Sequence, residues 1–225
     1  MALWLGAFWA QHVLMEHEPV RAALVAQLGG EKAFRAAYSA ASLALFVPLV
    51  VAHRRGNAAL ARAGASREPL VAPGSPARAL LGAAALLGGA GVGLGYAKPS
   101  PVGVEEVERS GLVARAREPV GALRVTRHPI FCGAALVMAA RAAVVPWPHQ
   151  KLLYGGMALA TLGSVLHQDL RVAPRLPPAF RDATSVAPGL AIAQGRQRWP
   201  ALAELNLPAA AAGAAAAVLF VVALA

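Results

Sequence analysis

Apolar residues gather in six long stretches of this chain, and polar segments separate them. The stretches cover residues 2–18, 34–52, 77–97, 130–147, 152–167 and 207–224. Each has close to the roughly 20 residues that a helix needs to cross the hydrocarbon core of a bilayer. The pattern predicts an all-α fold, a polytopic transmembrane helical bundle of about six spans. Residues 1–225 would then form a single integral membrane domain.

Polar residues, proline and glycine mark where these helices are expected to end. Residues 53–56 (HRRG) follow the second stretch, and their glycine is a typical helix stop. Residues 146–148 (PWP) predict a tight hairpin between the fourth and fifth stretches. His149 and His167 flank the fifth stretch, so we expect both imidazoles at the membrane interface.

The composition fits a membrane protein better than a soluble one. Apolar residues make up 57% of the chain and charged residues 14%, whereas about a quarter of an ordinary soluble domain is charged. The formal net charge is +10, but the basic residues are spread among the connecting segments and do not line one helix. That distribution argues against nucleic-acid binding. By the positive-inside rule it predicts an outside N-terminus and an inward-facing segment around Arg127.

The start of the sequence bears on which cellular membrane the protein occupies. The first stretch begins at Met1 without a basic n-region or a cleavage-site signature, so we predict no signal peptide. No plastid or mitochondrial transit peptide is visible. We therefore expect the bacterial inner membrane, or a plastid membrane if a targeting segment is missing from this sequence.

Ionisable residues inside apolar stretches are functional candidates, because burying them in lipid costs about 2.5–3.5 kcal/mol on the mildest scales. His12 lies on an otherwise apolar helix and can bind a metal when neutral, or make a hydrogen bond inside the bundle. Arg141 lies late in the fourth stretch, three positions after Met138, which is either a core residue or a thioether ligand. His53 and His128 lie nearer the ends of their helices.

The segment before the fourth stretch is the most distinctive one in the chain. Arg127 and His128 stand directly before Pro129, which fits the first turn of a helix. The exposed N–H groups of such a helix start favour anionic or polar ligands. We therefore expect these two side chains at a ligand-binding helix mouth, or at a membrane-interface anchor.

Several segments together resemble one known group, the 15-cis-zeta-carotene isomerases of plants and algae and the related NnrU-type membrane proteins of denitrifying bacteria. The similarity extends over nearly the whole chain. Its most specific pieces are residues 121–129 (GALRVTRHP) and 184–188 (TSVAP), supported by 194–197 (QGRQ), 41–45 (ASLAL) and 53–56 (HRRG).

This resemblance implies an enzyme that carries heme b and turns the central 15-cis double bond of tri-cis-zeta-carotene to trans. A lipid-soluble polyene and membrane lipids would be its partners, and the sequence does not predict the oligomeric state. The family's axial histidine falls on His12, and further family histidines fall on His53 and His128. The family's second ligand pair, a cysteine and a histidine, falls on Met138 and Arg141.

Both of these last positions depart from the family's pattern. Arginine stays protonated and cannot bind iron. Either Met138 binds the heme iron opposite His12, or the heme is lost and the chain is a non-isomerising paralogue.

Two other functions stay open on the sequence. The first is an NnrU-like membrane factor without isomerase activity, which binds heme or nitric oxide or supports a respiratory complex. The second is a membrane methyltransferase of the isoprenylcysteine type, which also places an Arg-His-Pro segment before a span. That class uses glutamates after the helical hairpin, where this chain has Asp169.

Overall fold

The computed structural model describes residues 1–65, 71–72, 74–97 and 118–223, and within these ranges every regular element is helical. The all-α prediction is confirmed. In chain order the helices are α1 (Ala2–Glu16), α2 (Glu18–Gln27), α3 (Glu31–Arg62), α4 (Pro76–Ala97), α5 (Ala122–Val125), α6 (Pro129–Val144), α7 (Pro148–Val172), α8 (Pro178–Ala183), α9 (Leu190–Ala193) and α10 (Leu207–Val218). Short 3-10 turns cover Ala173–Arg175 and Leu202–Glu204, and a π-helical turn, Leu219–Ala223, extends α10.

The six longest helices, α1, α3, α4, α6, α7 and α10, pack as a series of neighbours. Helix α4 lies between α10 and α6, α6 packs on α7, and α7 contacts α1, which packs on α3. Proline marks the start of four of these helices, since Pro76, Pro129, Pro148 and Pro208 stand in their first turns, where a missing N–H costs nothing.

Small residues let α4 approach its two neighbours closely. A Cβ atom at Gly88 would lie 2.7 Å from the carbonyl oxygen of Gly133 on α6. A Cβ atom at Gly89 would overlap the carbonyl oxygen of Gly213 on α10. Glycine-mediated contact of this kind is typical of helices that associate within a membrane.

Helix α3 differs from the prediction. It runs through Gly56 and ends at Arg62, so the expected stop at residues 53–56 is wrong. The backbone of Gly56 is helical, and its missing side chain makes room for the ring of His149, which lies 3.0 Å from the place of a Cβ atom. This glycine therefore serves packing and does not end the helix.

Two helices in the described part of the chain are long and apolar enough to cross a membrane, α3 and α4. The other predicted spans fall short of that test for two reasons. Helices α1, α6 and α10 have 15, 16 and 12 residues, below the usual range of about 17–25 for a spanning helix, and α7 carries polar residues at both of its ends.

Large apolar side chains nevertheless cover the outside of the bundle. Leu43 and Val47 on α3, Leu87 on α4 and Leu159 and Leu166 on α7 are all at least half exposed. So many exposed large apolar side chains are unusual for a soluble monomer and fit contact with lipid.

Candidate functional site

A cavity of about 170 Å³ lies where α1, α3, α6 and α7 meet. Its lining is polar for a helical bundle. Helix α1 contributes His12, Val13 and Glu16, α3 contributes Tyr38, α6 contributes Phe131, and α7 contributes Ser164, His167, Gln168 and Arg171. The α7 residues recur every three or four positions, so they share the face that α7 turns toward α1.

His12 is held in one orientation within this cavity. Its Nδ1 lies 2.9 Å from the carbonyl oxygen of Phe8, one turn earlier on α1. The carbonyl accepts, so in the neutral ring Nδ1 carries the proton and Nε2 keeps its lone pair. The imidazole also packs against the Phe8 ring, with the centroids 4.3 Å apart and the planes tilted by 44°, and it meets the ring of Tyr38 edge-on at 5.2 Å. Metal-binding histidines are commonly fixed by such a bond to a carbonyl.

His167 is the residue that sequence reasoning missed. We expected it at the membrane interface, but it lines the same cavity as His12. Its Nε2 atom is buried and has no hydrogen-bond partner among the described residues. A buried polar atom without a hydrogen bond lowers the stability of the fold by about 1–3 kcal/mol, so a ligand that binds this nitrogen would remove that cost. The signal in the sequence was its spacing of three from Ser164 and four from Arg171.

Charged residues close one rim of the cavity. Glu16 lies 2.9 Å from Arg171 and 4.0 Å from Arg21. Glu31 in turn lies 2.5 Å from Arg21. The carboxylate of Glu16 is therefore balanced by arginines from α2 and α7, and it ties the start of α2 to the end of α7.

The Arg-His-Pro segment has an internal partner, Asp169 on α7. Arg127 donates from Nε to Oδ1 at 2.9 Å and from Nη2 to Oδ2 at 2.8 Å. His128 Nε2 lies 3.0 Å from Oδ1 of the same carboxylate. The anion at this helix start is thus a side chain of the chain itself, and Asp169 is engaged by two residues of the motif.

His128 is buried and its tautomer follows from this contact. The carboxylate can only accept, so Nε2 of His128 carries a proton. Burial lowers the pKa of His128, and it outweighs the opposing effect of the bond to Asp169. The ring is therefore neutral at pH 7. It contacts the ring of Phe131 at 6.5 Å, and Phe131 lines the His12 cavity, so the motif and the cavity are neighbours.

The same motif holds the polar C-terminal segment. Arg127 N–H donates to the carbonyl of Ser185 at 2.9 Å, and Thr126 Oγ1 donates to the carbonyl of Val186 at 2.7 Å. Arg124 donates from Nε to Glu204 at 2.6 Å and from Nη1 to Gln197 at 2.6 Å. The segments that carry the sequence resemblance therefore fold against one another.

Two candidate residues of the fourth stretch lie away from the cavity. Met138 is two turns beyond Phe131 on α6 and is not among the residues that line it. Arg141 donates from Nη1 to the carbonyl of Val221 at 3.0 Å, and its guanidinium lies 5.4 Å from the Tyr154 ring and 5.6 Å from the Phe220 ring.

His53 belongs to a second polar cluster near Arg141. Asn57 joins this cluster, because its side chain meets His53 at 3.2 Å, His149 at 2.8 Å and Gln150 at 2.9 Å. His149 and His167 are 18 positions apart on α7, about 27 Å at the helical rise of 1.5 Å per residue. The structure thus divides the candidate residues between the two ends of the bundle, with His12 at one end and His53 and Arg141 at the other.

Heme b does not fit the pair His12 and Met138 in this arrangement. Of the residues named for heme, His12 lines the cavity, while Met138, Arg141 and His53 lie elsewhere. A volume of about 170 Å³ is also below the 300–1,000 Å³ of pockets that enclose drug-sized ligands. Among the residues described, no three His, Cys, Asp or Glu side chains come together as a metal-binding group.

Comparison with known proteins identifies a family. The family model described as "NnrU protein" matches residues 1–225. No curated protein and no solved structure matches the chain.

Proposed function

The chain belongs to the NnrU family, and on that premise we propose that it is an integral membrane protein that binds a small polar ligand beside His12 and does not isomerise carotenoids. The observation that carries this proposal is the cavity itself. Three of the four helices bring ionisable or hydroxyl side chains to one small volume, and the neutral imidazole of His12 presents an unprotonated nitrogen there.

A membrane arrangement of about six spans is part of the proposal. NnrU proteins are membrane-associated, and α3 and α4 have the length and hydropathy of spanning helices. The exposed leucines on α7 support the same arrangement for that helix. With the N-terminus outside, the ends of α1 and α7 that carry His12 and His167 would lie toward the cytoplasmic face of a bacterial inner membrane.

Two features favour ligand binding over carotenoid isomerisation. The cavity is far too small to enclose a long polyene together with a heme. The residue in the family's second histidine position is Arg141, whose guanidinium is engaged with a carbonyl and two rings at the other end of the bundle. These features support the hypothesis that the chain is a membrane protein without isomerase activity.

The methyltransferase hypothesis receives no comparable support. It relied on Asp169 in the place of the glutamates of that class. In this chain Asp169 is engaged by Arg127 and His128. Asp169 therefore links the start of α6 to the end of α7, and this structural role explains its presence without cofactor binding.

Expression in a bacterial strain that accumulates tri-cis-zeta-carotene tests the proposal. We expect the ratio of carotene isomers, separated by liquid chromatography, to match that of the empty vector. We also expect the protein to stay in the membrane fraction after an alkaline carbonate wash. His12-dependent conversion of the 15-cis isomer would overturn the proposal, as would release of the protein by the wash. A Soret band that disappears in His12→Ala would restore heme as the ligand.

A further inference from the structure

We propose that His12 and His167 together bind one divalent transition-metal ion of the imidazole-preferring kind, such as Ni²⁺, Cu²⁺ or Zn²⁺. The inference rests on the proposed function, because it names the class of ligand that the cavity takes. It adds a residue, His167, that neither the motifs nor the resemblance assigned.

The first proposed ligand is His12, which is oriented for metal binding by a hydrogen bond within its own helix. The hydrogen bond from His12 Nδ1 to the Phe8 carbonyl fixes the tautomer that leaves Nε2 free for a metal. Contacts with the rings of Phe8 and Tyr38 hold the imidazole plane. A ring fixed on three sides loses little freedom when an ion binds.

The second proposed ligand is His167, whose ring nitrogen Nε2 lacks a hydrogen bond among the described residues. His167 Nε2 is buried without a hydrogen-bond partner in the part of the chain that the structure describes, although the residue lines a polar cavity. Metal binding would satisfy that atom. Helices α1 and α7 contact each other directly, so an ion held by both histidines would link two helices that already pack together.

The size of the cavity agrees with an ion and its water. A water molecule occupies about 30 Å³ of liquid, so about 170 Å³ accommodates an ion with a few waters. With two protein imidazoles, the remaining positions fall to water and to the oxygen atoms of the lining, such as Ser164 and Tyr38. An ion with such a shell is open to exchange.

The charges of the lining decide which ions are suitable. Glu16 is already balanced by Arg171 and Arg21, so it adds little net negative charge. Hard cations that need several carboxylates, such as Ca²⁺ and Mg²⁺, are therefore disfavoured. Neutral imidazoles suit Zn²⁺, Cu²⁺ and Ni²⁺, with the highest affinity for Cu²⁺.

The test uses the purified full-length chain in detergent, stripped of metal by a chelator. Each metal ion is titrated alone by calorimetry, into the wild type and the variants His12→Ala, His167→Ala and His17→Ala. His17 is exposed at the end of α1 and serves as the matched control. Thermal unfolding of each variant shows that it is folded.

We expect one Cu²⁺ or Ni²⁺ ion per chain, with the affinity lowered at least tenfold by His12→Ala and by His167→Ala and unchanged by His17→Ala. Ca²⁺ should not bind. Equal affinity in His167→Ala, or no binding to the wild type, would overturn the inference. In that case, His12-dependent binding of inorganic phosphate would leave the proposed function standing, whereas His12-dependent binding of hemin or conversion of zeta-carotene would remove it.

Discussion

Asp169 on α7 receives Arg127 through two parallel hydrogen bonds, from Nε to Oδ1 at 2.9 Å and from Nη2 to Oδ2 at 2.8 Å. Both side chains are largely buried, with 9% of Arg127 and 14% of Asp169 exposed. This pair fixes the start of α6 to the end of α7. It therefore sets the position of His167 and Phe131, which lie two residues before Asp169 and four residues after Arg127 in the chain and line the His12 cavity.

Removal of this carboxylate should destabilise the bundle strongly. Asp169→Ala leaves the buried guanidinium of Arg127 without its anion, and breaking a buried pair in this way costs about 3–5 kcal/mol. Thermal unfolding in detergent measures the loss. Asp182→Ala is the matched control, because its side chain is 71% exposed. Equal losses in the two variants would contradict a central role for the Arg127–Asp169 pair.

A methyl group at the crossing of α4 and α10 should also destabilise the protein. Gly213→Ala would drive its Cβ atom into the backbone of Gly89, and overpacking of this kind costs about 1–3 kcal/mol. Gly82→Ala, on the partner helix α4, places its Cβ atom where nothing lies within 4 Å, and it should stabilise the protein by up to about 1 kcal/mol through helix propensity. The melting temperatures should therefore move in opposite directions. Two increases would show that the helices are not in close contact.

The ion pair between Arg124 of the Arg-His-Pro segment and Glu204 of the C-terminal segment should weaken in acid. The hydrogen bond from Arg124, together with that from the Gly121 N–H, lowers the pKa of Glu204 to about 2 from its usual 4.5. A carboxyl group whose pKa is lower in the folded protein than in the unfolded chain stabilises the folded state. This stabilisation is complete above the pKa of the unfolded chain, and it is lost as the pH falls from about 4.5 to 2.

Chemical unfolding of the wild type and of Glu204→Gln at several pH values measures this contribution. The stability difference between the two proteins should be constant above pH 5 and should shrink in acid. A difference that stays the same down to pH 2 would show that the ion pair does not form.

Asn57 should matter because three side chains bond to it. Asn57→Ala leaves the half-buried side chains of His53, His149 and Gln150 without their shared partner, and a polar group that stays unsatisfied away from water costs up to about 1–3 kcal/mol. We expect a clear loss in melting temperature with metal binding at the His12 cavity unchanged, since the cluster lies at the other end of the bundle. Gln27→Ala, at an exposed end of α2, is the control. A parallel loss of metal affinity would show that the two ends are coupled.

Much of the fold could be predicted from the sequence, because apolar stretches of spanning length and first-turn prolines are local signals. Helix α4 was expected at 77–97 and begins one residue earlier, and the hairpin at Trp147 is where residues 146–148 indicated it. The continuation of α3 through Gly56 was not predicted, because the reason for that glycine is a contact with His149, 93 positions later.

The site was harder to predict for the same physical reason. His12 could be identified as an ionisable residue on an apolar helix. The partner of Arg127 is Asp169, 42 positions away, and only the packing of α6 on α7 brings them together. His167 looked like an interfacial residue because it stands near polar neighbours in the chain. Its place on the cavity depends on the rotation of α7 relative to α1, which a single sequence does not specify.

The most direct test of the central claim, that His12 and His167 face one ligand, is anomalous X-ray diffraction from crystals of the full chain grown with Cu²⁺. We predict an anomalous peak inside the bundle, about 2.0–2.1 Å from one ring nitrogen of each histidine, the usual length of a metal–imidazole bond. Absence of a peak in the cavity, or a peak bound by the exposed His17 instead, would contradict it.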